Sequence, residues 1–383
     1  MKNGCHLVIA CGGTGGHFYP TLSVAREHCR RGGRVTLLVS GAHAAEQQRI
    51  AAEYGFEARE IEAVRRPSGI INKLLFPFRM LRCLRRASAV LKELNGDVLL
   101  GMGSFAAVPP CIVWPWRRKP LVLHEGNTIM GRTNQLFAGR ARGIALSLPL
   151  KDEAQLKGAE GRITGMPLRD AILEAAAGEM SAAERSALLT GWGLQEGRRT
   201  VLVFGGSQGA AAVNRMLRES ASRLGQLAGS FQFIILTGSD DNQAMIDAFA
   251  GAGIPARICR SDGEIQRCYQ IADLVVCRGG ASSLCELALF GKPVIVIPLP
   301  SAADNHQFFN AAALESAGGA RCLEQKDASP ERFAALLADF AAGTEEWKAM
   351  GARMKAFARP DATARVNDLI QDVCTAAEAG QGK

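Results

Sequence analysis

The chain has 383 residues, of which 48% are hydrophobic and 21% charged, and its formal net charge is +8. This length predicts two domains of roughly 150 residues or more, each able to bury a full core. No apolar run approaches the ~18 residues that a membrane-spanning helix needs, so no span is expected.

The positive charge is concentrated in the first half of the chain. Residues 1–170 hold 25 Lys and Arg against 13 Asp and Glu, and residues 64–92 hold eight basic residues and no acidic one. Such a field favours an anionic partner: nucleic acid, phospholipid or a phosphorylated substrate. Because only 6% of the residues are aromatic, there are few platforms for base stacking, and nucleic acid is not expected as a partner.

The amino terminus and the cysteines both indicate a cytoplasmic protein. A short apolar run at residues 6–10 passes directly into glycines, which is not typical of a secretory signal. The 11 cysteines are scattered with no CxxC pair, which predicts free thiols in a reducing compartment.

Short apolar runs alternate with helical stretches along the whole chain. The predicted strands are 6–10, 34–40, 97–101, 121–124 and 144–147, followed by 200–204, 231–237, 256–259, 274–277 and 294–298. Runs that are apolar on both faces are typical of parallel strands covered by helices. We therefore predict an α/β protein with two similar parallel-sheet domains, 1–166 and 167–357. A terminal amphipathic helix at about 358–378 could pack on either domain.

Three glycine-rich turns follow predicted strands: GGTGGH at 12–17, GMGSF at 101–105 and GGSQGA at 205–210. Ligands of parallel sheets gather at this edge, where helix amino termini present unpaired N–H groups. No GK[ST] follows any turn, which argues against a P-loop. GGTGGH also fails the dinucleotide pattern GxGxxG, since the sixth position counted from Gly13 is Phe18.

Five segments carry a family resemblance: GGTGGHFYP, HEGNTIMGRTN (124–134), TGMPLR (164–169), GGSQGA and CRGGASSLCELALFGKPVIVIPLPSAADNHQFFNA (277–311). In order, spacing and content they resemble the MurG family, peripheral-membrane glycosyltransferases of bacterial cell-wall synthesis that belong to glycosyltransferase family 28. The resemblance extends from about residue 5 to about residue 325.

The resemblance implies the GT-B fold, two Rossmann-like parallel-sheet domains that face a cleft. It implies transfer of N-acetylglucosamine (GlcNAc) from UDP-GlcNAc to undecaprenyl-pyrophosphoryl-MurNAc-pentapeptide, which converts lipid I to lipid II with inversion in peptidoglycan synthesis. The expected location is the cytoplasmic face of the bacterial inner membrane. The family's metal independence implies that no cofactor is needed, which agrees with the lack of a DxD triplet.

The donor nucleotide is expected on the helix after CRGG. A carboxylate suits a ribose diol, and Glu286 aligns with the family's ribose contact, at the end of a donor-binding run formed by Ala281, Ser282, Ser283, Leu284 and Cys285. The run departs from the family's usual ALTVSE, so backbone N–H contacts are expected to persist better than side-chain contacts. A structural alternative is a capping box, because Ser283 and Glu286 have its spacing.

Further donor contacts follow from the resemblance. Arg169 and Ser207 align with diphosphate contacts, Gln307 with the GlcNAc contact and Asn127 with another donor position. Three of them have an ordinary alternative: a surface arginine for Arg169, a helix cap for Ser207, and a solvated helical residue for Gln307.

The acceptor hydroxyl must lose a proton as it attacks, so a general base is expected. His17, predicted in the first turn of a helix, is the first candidate, and Glu125 of HEGN is the second. The alternative for His17 is a histidine that only hydrogen-bonds substrate or caps the turn. The family's usual HEQN has become HEGN here. We expect Gly13, Gly103 and Ser104 to form loops for the acceptor diphosphate, and Thr14, Gly15 and Gly16 to close on the donor.

A membrane-binding surface is expected within residues 68–94. The predicted patch consists of Ile70, Ile71, Lys73, Leu74, Leu75, Phe76, Phe78, Arg79 and Arg82. Apolar anchors interleaved with cations suit an anionic lipid surface. The alternative is a half-buried amphipathic helix with solvated arginines.

Two other functions remain possible from the sequence. One is another UDP-sugar enzyme of the same fold, such as a diacylglycerol glucosyltransferase or a UDP-GlcNAc 2-epimerase. The other is a non-catalytic protein that binds nucleotide sugar or anionic lipid.

Overall fold

The computed structural model describes residues 4–13, 15–62, 70–205 and 211–381, without the side chains of residues 70–73, 380 and 381. The chain divides into two compact units. The first comprises the residues up to Arg169 together with those from Arg359 onward, and the second is Asp170–Ala358.

The strands are β1 (His6–Ala10), β2 (Arg34–Val39), β3 (Glu57–Glu60), β4 (Val98–Gly101), β5 (Leu121–Glu125), β6 (Gly143–Leu146), β7 (Glu160–Ile163), β8 (Arg199–Phe204), β9 (Phe231–Leu236), β10 (Ala256–Cys259), β11 (Leu274–Cys277), β12 (Val294–Val296) and β13 (Arg321–Cys322). The α-helices are α1 (Gly15–Arg30), α2 (Ala44–Glu53), α3 (Ile70–Leu94), α4 (Val108–Val113), α5 (Arg132–Phe137), α6 (Asp170–Ala177), α7 (Ala182–Gly191), α8 (Ala211–Leu224), α9 (Gln243–Gly251), α10 (Ile265–Ile271), α11 (Ala281–Phe290), α12 (His306–Ser316), α13 (Pro330–Ala342), α14 (Glu345–Lys355) and α15 (Ala362–Gln381).

Each unit is built on one parallel sheet. The first sheet has the order β3-β2-β1-β4-β5-β6-β7 and the second β10-β9-β8-β11-β12-β13, with parallel pairing throughout. Both sheets have the doubly wound strand order of a Rossmann fold. The strand order reverses between β1 and β4 in the first sheet and between β8 and β11 in the second. The predicted α/β class with two Rossmann-like parallel sheets is therefore confirmed.

The first sheet is buried on both faces because alternate residues of its strands enter different cores. Leu7 and Ile9 of β1 pack with α1, α2 and α15, whereas Val8 and Ala10 pack with α3, α4 and Trp114. This double burial explains why the strand sequence HLVIA is apolar on both faces rather than alternating.

Helix α15 completes the core of the first unit. Val366, Leu369, Ile370 and Val373 are buried in the same cluster as Leu7 and Ile9. Gly143 on β6 allows this approach, because a Cβ there would lie 2.8 Å from a methyl group of Leu369. Burial of four such side chains contributes roughly 6–12 kcal/mol, which fixes the helix to this unit.

Candidate active site

The glycine-rich turns of the first unit lie at the point where its strand order reverses. The loops after β1, β4 and β5 leave the same edge of the sheet, since these three strands are neighbours and parallel. The backbone N–H of Met102, just after β4, donates to Ala10 O at 3.1 Å and joins the first two loops.

Two glycines in these loops are required by geometry. Gly12 has φ +145°, and a Cβ there would lie 2.9 Å from Ala106 Cβ. Gly103 has φ +78°, and its Cβ would lie 3.0 Å from Asn134 Nδ2. Both positions favour glycine, which lets the three loops approach one another closely.

His17 lies in the first turn of α1, as predicted. Its Nδ1 is 2.7 Å from Met102 O, and because a carbonyl oxygen only accepts, Nδ1 is the protonated nitrogen. A neutral ring in this tautomer carries its lone pair on Nε2. The β4 loop therefore sets both the orientation and the tautomer of His17.

His124 lies behind this loop cluster at the end of β5. It is fully buried, and its Nε2 is 3.1 Å from Ser147 Oγ. Burial, together with the nearby His17, lowers the pKa of His124 to about 3, so this ring is neutral at physiological pH.

Glu125 is buried and organises the loop that follows β5. Its Oε1 accepts from the backbone N–H of Asn127 at 2.9 Å and from Asn127 Nδ2 at 3.1 Å. Its Oε2 accepts from the backbone N–H of Gly131 at 2.8 Å and from Asn134 Nδ2 at 2.9 Å. Four donors thus converge on one carboxylate, which ties Asn127, Gly131 and Asn134 to the end of β5.

Two buried polar atoms beside Glu125 and His17 lack partners within the described part of the chain. They are Ser104 Oγ and Asn134 Oδ1, on side chains whose residues are 6% and 1% exposed. A buried group without a partner costs stability, and such groups are found where a ligand supplies the missing hydrogen bond. The sequence predicts Ser104 as a ligand-loop residue, whereas Asn134 has no signal of its own beyond its place at the end of HEGNTIMGRTN.

Arg169 approaches the same helix from the end of the first unit. Its guanidinium lies 5.5 Å from the centre of the Tyr19 ring, two residues beyond His17. The preceding residue, Leu168, accepts a 2.9 Å hydrogen bond from Ser23 Oγ, which holds the segment against α1. Arg169 therefore packs on an aromatic face and is not an isolated surface arginine.

In the second unit, Glu286 lies on α11, after the turn that follows β11. Its Oε2 accepts a 2.7 Å hydrogen bond from the hydroxyl of Tyr269, which is fully buried. The capping-box alternative is wrong: α11 begins at Ala281, its N-cap is Gly280, and Ser283 lies inside the helix. Tyr269 is 17 residues from Glu286, and no local motif predicts the contact.

The positions of the predicted donor run differ in burial: Ser282 and Ser283 are half-buried, whereas Ala281, Leu284 and Cys285 are buried. The first N–H groups of α11 belong to Ala281, Ser282 and Ser283, and the N-cap residue, Gly280, has no side chain that could accept from them. Leu284 is different, because its side chain is buried and its N–H donates to Gly280 O at 3.1 Å. Cys285 is also buried, so direct side-chain contact of a ligand with Leu284 or Cys285 is not supported.

Gln307 lies on α12, packed against the same turn. A Cβ on Gly279 would lie 2.3 Å from Gln307 O, and Asn310 Nδ2 donates to Gly279 O at 3.0 Å. The Gln307 side chain is half-buried, and its Oε1 accepts from Leu299 N at 3.0 Å, which leaves its amide N–H groups to donate. The CRGG turn, Glu286 and Gln307 therefore share one edge of the second sheet.

Helix α3 has an apolar outer face. Leu74 and Phe78 are 70% and 73% exposed, and Leu81 continues the same face one turn later. The opposite face is buried and consists of Cys83, Ala87, Leu91 and Leu94. The apolar side chains at the start of α3 are thus directed away from the core of their own unit.

The cations of α3 flank this face. Arg79 is exposed, and Arg82 and Arg86 pair with Glu62, Arg86 at 3.0 Å. Leu75 is exposed and Phe76 half-buried. The side chains of Ile70, Ile71 and Lys73 lie outside the described residues, as do Thr14 and Ser207.

No group of three His, Cys, Asp or Glu side chains in the described part of the chain is placed to hold a metal ion. Within the same ranges, no helix is long and apolar enough to cross a membrane.

Comparison with known proteins identifies both units. Residues 7–146 match the glycosyltransferase family 28 N-terminal domain, and residues 200–366 match the glycosyltransferase family 28 C-terminal domain. The two doubly wound sheets and these matches define a two-domain glycosyltransferase.

Similar proteins of known name identify the kind of glycosyltransferase. The chain is 37% identical over 333 residues to the UDP-N-acetylglucosamine--N-acetylmuramyl-(pentapeptide) pyrophosphoryl-undecaprenol N-acetylglucosamine transferase of Verminephrobacter eiseniae, covering 87% of this chain and 89% of the relative. It is 33% identical to the protein of that name from Saccharophagus degradans, covering 96% and 91% of the two chains. The chain therefore belongs to this transferase family.

Solved structures have the same two-domain fold. The crystal structure of Acinetobacter baumannii MurG superposes with a TM-score of 0.77 at 26% identity, covering 96% of this chain and 99% of that one. A UDP-GlcNAc 2-epimerase from Neisseria meningitidis superposes with a TM-score of 0.67 at 10% identity, covering 96% and 99%, and shares the fold alone. The resemblance inferred from the five segments is confirmed.

Proposed function

We propose that this protein transfers GlcNAc from UDP-GlcNAc to undecaprenyl-pyrophosphoryl-MurNAc-pentapeptide, the step from lipid I to lipid II in peptidoglycan synthesis. The observation that carries the proposal is the convergence of the three loops after β1, β4 and β5 around a histidine whose tautomer is set by Met102 O. This arrangement supplies a base beside buried, unpartnered polar atoms at the end of a sheet where ligands bind.

His17 is the general base of the proposed reaction. Its Nε2 takes the proton of the acceptor hydroxyl as that oxygen bonds to the anomeric carbon, and the bond from that carbon to the UDP oxygen breaks. Nδ1 keeps its proton and its hydrogen bond to Met102 O, so the backbone stabilises the imidazolium that forms. A single displacement of this kind inverts the anomeric centre.

Glu125 is a positioning residue in this proposal. Both oxygens of its carboxylate already accept hydrogen bonds from the loop that follows β5, two on each oxygen. Its role is to fix the loop from Asn127 to Gly131, which faces the β4 loop through Asn134.

The acceptor diphosphate fits the loops after β1 and β4. Ser104 Oγ is buried without a partner among the described residues and can donate to a phosphate oxygen. The glycines Gly13 and Gly103 leave backbone N–H groups uncovered by side chains, which suits the close approach of a diphosphate.

The donor fits the second unit. Glu286, oriented by Tyr269, can accept from both ribose hydroxyls, and the first N–H groups of α11 can donate to the nucleotide. Gln307 can donate from its amide to a sugar hydroxyl, and Arg169, stacked on Tyr19, offers a fixed positive charge to the leaving diphosphate. Neither Leu284 nor Cys285 contributes a side chain.

The transfer assay tests the function. Purified protein is incubated with radiolabelled UDP-GlcNAc and a short-chain lipid I analogue, and we expect label in the lipid product. Absence of label in the lipid together with measurable UDP-GlcNAc binding would replace the transferase by a binding protein. Release of free UDP and a rearranged sugar without acceptor would indicate an epimerase.

His17→Ala tests the base. We expect kcat to fall by about 10²–10⁴, the usual contribution of a general base, while the dissociation constant for UDP-GlcNAc changes little. The matched control is His43→Ala, since His43 is exposed at the start of α2. Unchanged turnover in His17→Ala would remove the residue as the base.

The outer face of α3 binds the anionic cytoplasmic membrane surface in this proposal. Leu74 and Phe78 insert between lipids while Arg79 and Arg85 meet the phosphates, each cation contributing roughly 1 kcal/mol. Such binding would hold the lipid-linked acceptor at the membrane to which the unit with the three loops is attached.

Vesicle sedimentation tests the membrane surface. We expect the protein to sediment with vesicles rich in phosphatidylglycerol, and Leu74→Ser with Phe78→Ser to abolish this. The control, Leu136→Ser, removes an apolar side chain that is 61% exposed elsewhere in the first unit. Equal loss in both variants, or equal binding to neutral vesicles, would contradict a specific surface on α3.

A further inference from the structure

Two cysteines from opposite ends of the chain meet at the edge of the first unit. Cys5 immediately precedes β1 and Cys374 lies on α15, yet their Sγ atoms are 3.3 Å apart. Both side chains are partly buried and pack against the cluster that contains Leu7 and Val373. All 11 cysteines are described and all are free thiols.

Hydrogen bonds of His28 and Asn367 fix the two segments that carry the thiols. His28 Nε2 lies 3.0 Å from Cys5 O, and its Nδ1 lies 3.2 Å from Asn367 Oδ1 on α15. Asn367 Nδ2 donates in turn to Val24 O at 3.3 Å on α1. The segment that carries Cys5 and the helix that carries Cys374 are thus fixed to the same buried side chain.

The thiol pair is also chemically asymmetric. The hydrogen bond from the Cys374 thiol lowers the pKa of Cys5 to about 6, and the same bond raises the pKa of Cys374. The contact between the two sulfurs therefore favours a thiolate on Cys5 and a protonated Cys374. A thiolate in contact with a resolving thiol is the arrangement of a redox-reactive pair.

We propose that Cys5 and Cys374 form a redox-reactive site that a peroxide converts to an intramolecular disulfide. The Cys5 thiolate attacks one oxygen of hydrogen peroxide, breaks the O–O bond and becomes a sulfenic acid, while the other oxygen leaves as hydroxide and takes a proton to form water. The Cys374 sulfur then attacks the sulfenic sulfur and releases a second water. Two thiols and one peroxide give one disulfide and two waters.

Little movement is needed to close the bond. A disulfide has an S–S length of about 2.05 Å, so the two sulfurs must approach by about 1.3 Å from their present separation. The product would tie α15 covalently to the amino end of β1. This inference is independent of the proposed transferase function, because it rests on the core of the first unit alone.

Peptide mapping of the intact chain tests the proposal. The purified protein is treated with hydrogen peroxide at equimolar to tenfold amounts, alkylated and digested without reduction. We expect a linked peptide pair containing Cys5 and Cys374, 2 Da lighter than the sum of the two free peptides, before Cys29 is modified. Cys29 is the internal reference because its thiol is exposed.

Thermal unfolding gives the second measurement. Oxidation is expected to raise the Tm of the wild-type protein by about 5 °C, since cross-linking restrains the unfolded chain. Cys5→Ser and Cys374→Ser should each lose this rise, whereas Cys29→Ser should keep it. Alkylation of both Cys5 and Cys374 after peroxide has modified Cys29, or over-oxidation of Cys5 without a linked peptide, would overturn the proposal.

Discussion

Replacing Glu125 by glutamine separates the two roles that this carboxylate could have. Each carboxylate oxygen accepts two hydrogen bonds, Oε1 from the backbone and side chain of Asn127 and Oε2 from Gly131 N and Asn134 Nδ2. A glutamine has only one oxygen, so in either orientation its NH₂ group faces two donors. Two of the four hydrogen bonds are therefore lost.

The magnitude follows from these two bonds. A hydrogen bond to a charged group contributes about 1.5–3 kcal/mol, so Glu125→Gln should cost about 3–6 kcal/mol of local stability. Every 1.4 kcal/mol is a factor of ten, so the loop should open at least about a hundredfold more often.

Amide hydrogen exchange measures how well Glu125 holds the loop, and kcat measures its effect on catalysis. We expect the amide of Gly131 to exchange at least about a hundredfold faster in Glu125→Gln, with kcat reduced in proportion to the population of the disordered loop. Lowering the temperature or adding a stabilising osmolyte should restore part of the activity. The control is Glu153→Gln, since Glu153 is an exposed carboxylate of the same unit.

If the Gly131 amide keeps its wild-type protection in Glu125→Gln while kcat falls by a thousandfold or more, the carboxylate takes part in the chemistry. His17 would then lose its place as the base.

Three further predictions concern single contacts. Tyr269→Phe removes the hydroxyl that orients Glu286, so we expect the KM for UDP-GlcNAc to rise about tenfold in initial-rate assays, with kcat less affected. Gly279→Ala places a Cβ 2.3 Å from Gln307 O, and urea unfolding should report a loss of about 3 kcal/mol. Folding lowers the pKa of His124 from 6.5 to about 3, so between these pH values the unfolded chain binds a proton that the folded chain does not. The free energy of unfolding of the wild type should therefore fall by about 2 kcal/mol between pH 7.5 and 5, and His124→Gln should lack this fall.

Each of these changes has a matched control. Tyr54→Phe alters an exposed tyrosine and should leave the KM unchanged; an equal rise would show that Tyr269 acts only through general stability. Gly280→Ala has φ −72° and no atom within 4 Å of the new Cβ, and equal destabilisation there would contradict the clash at Gly279. His43→Gln removes an exposed imidazole, and the argument from burial fails if it removes the same pH dependence as His124→Gln.

The strands that the sequence predicts and those it misses differ in position within the sheets. All ten predicted strands are present, and nine of them lie inside the sheets, where a parallel strand must be apolar on both faces. The tenth, β10, is an edge strand that is half-buried and keeps apolar residues in its sequence ARIC. The missed strands β3, β7 and β13 each lie at a sheet edge. Their sequences EARE, EGRI and RC are polar and partly exposed, since an edge strand meets solvent and gives no apolar signal.

The candidate site also has features that the sequence predicts and contacts that it does not. Glycine-rich turns after strands predict where the loops converge, because that depends only on chain order and on the parallel sheet. The tautomer of His17 and the orientation of Glu286 depend on Met102 and Tyr269, which lie 85 and 17 residues away and have no motif of their own. Such contacts exist only once the sheet has formed, so pattern and spacing cannot predict them.

The return of α15 to the first unit sets the order in which the two units can fold during synthesis. Residues 170–358 are contiguous, so the second unit can fold as soon as it has left the ribosome. The first unit begins at the amino terminus, yet its core stays open until Val366, Leu369, Ile370 and Val373 are made. The nascent chain must therefore keep the apolar residues of β1 and α1 uncovered while nearly 200 residues are added, roughly 10–40 s at bacterial elongation rates. The half of the protein that is made first is completed last, which makes it the half that most needs a chaperone.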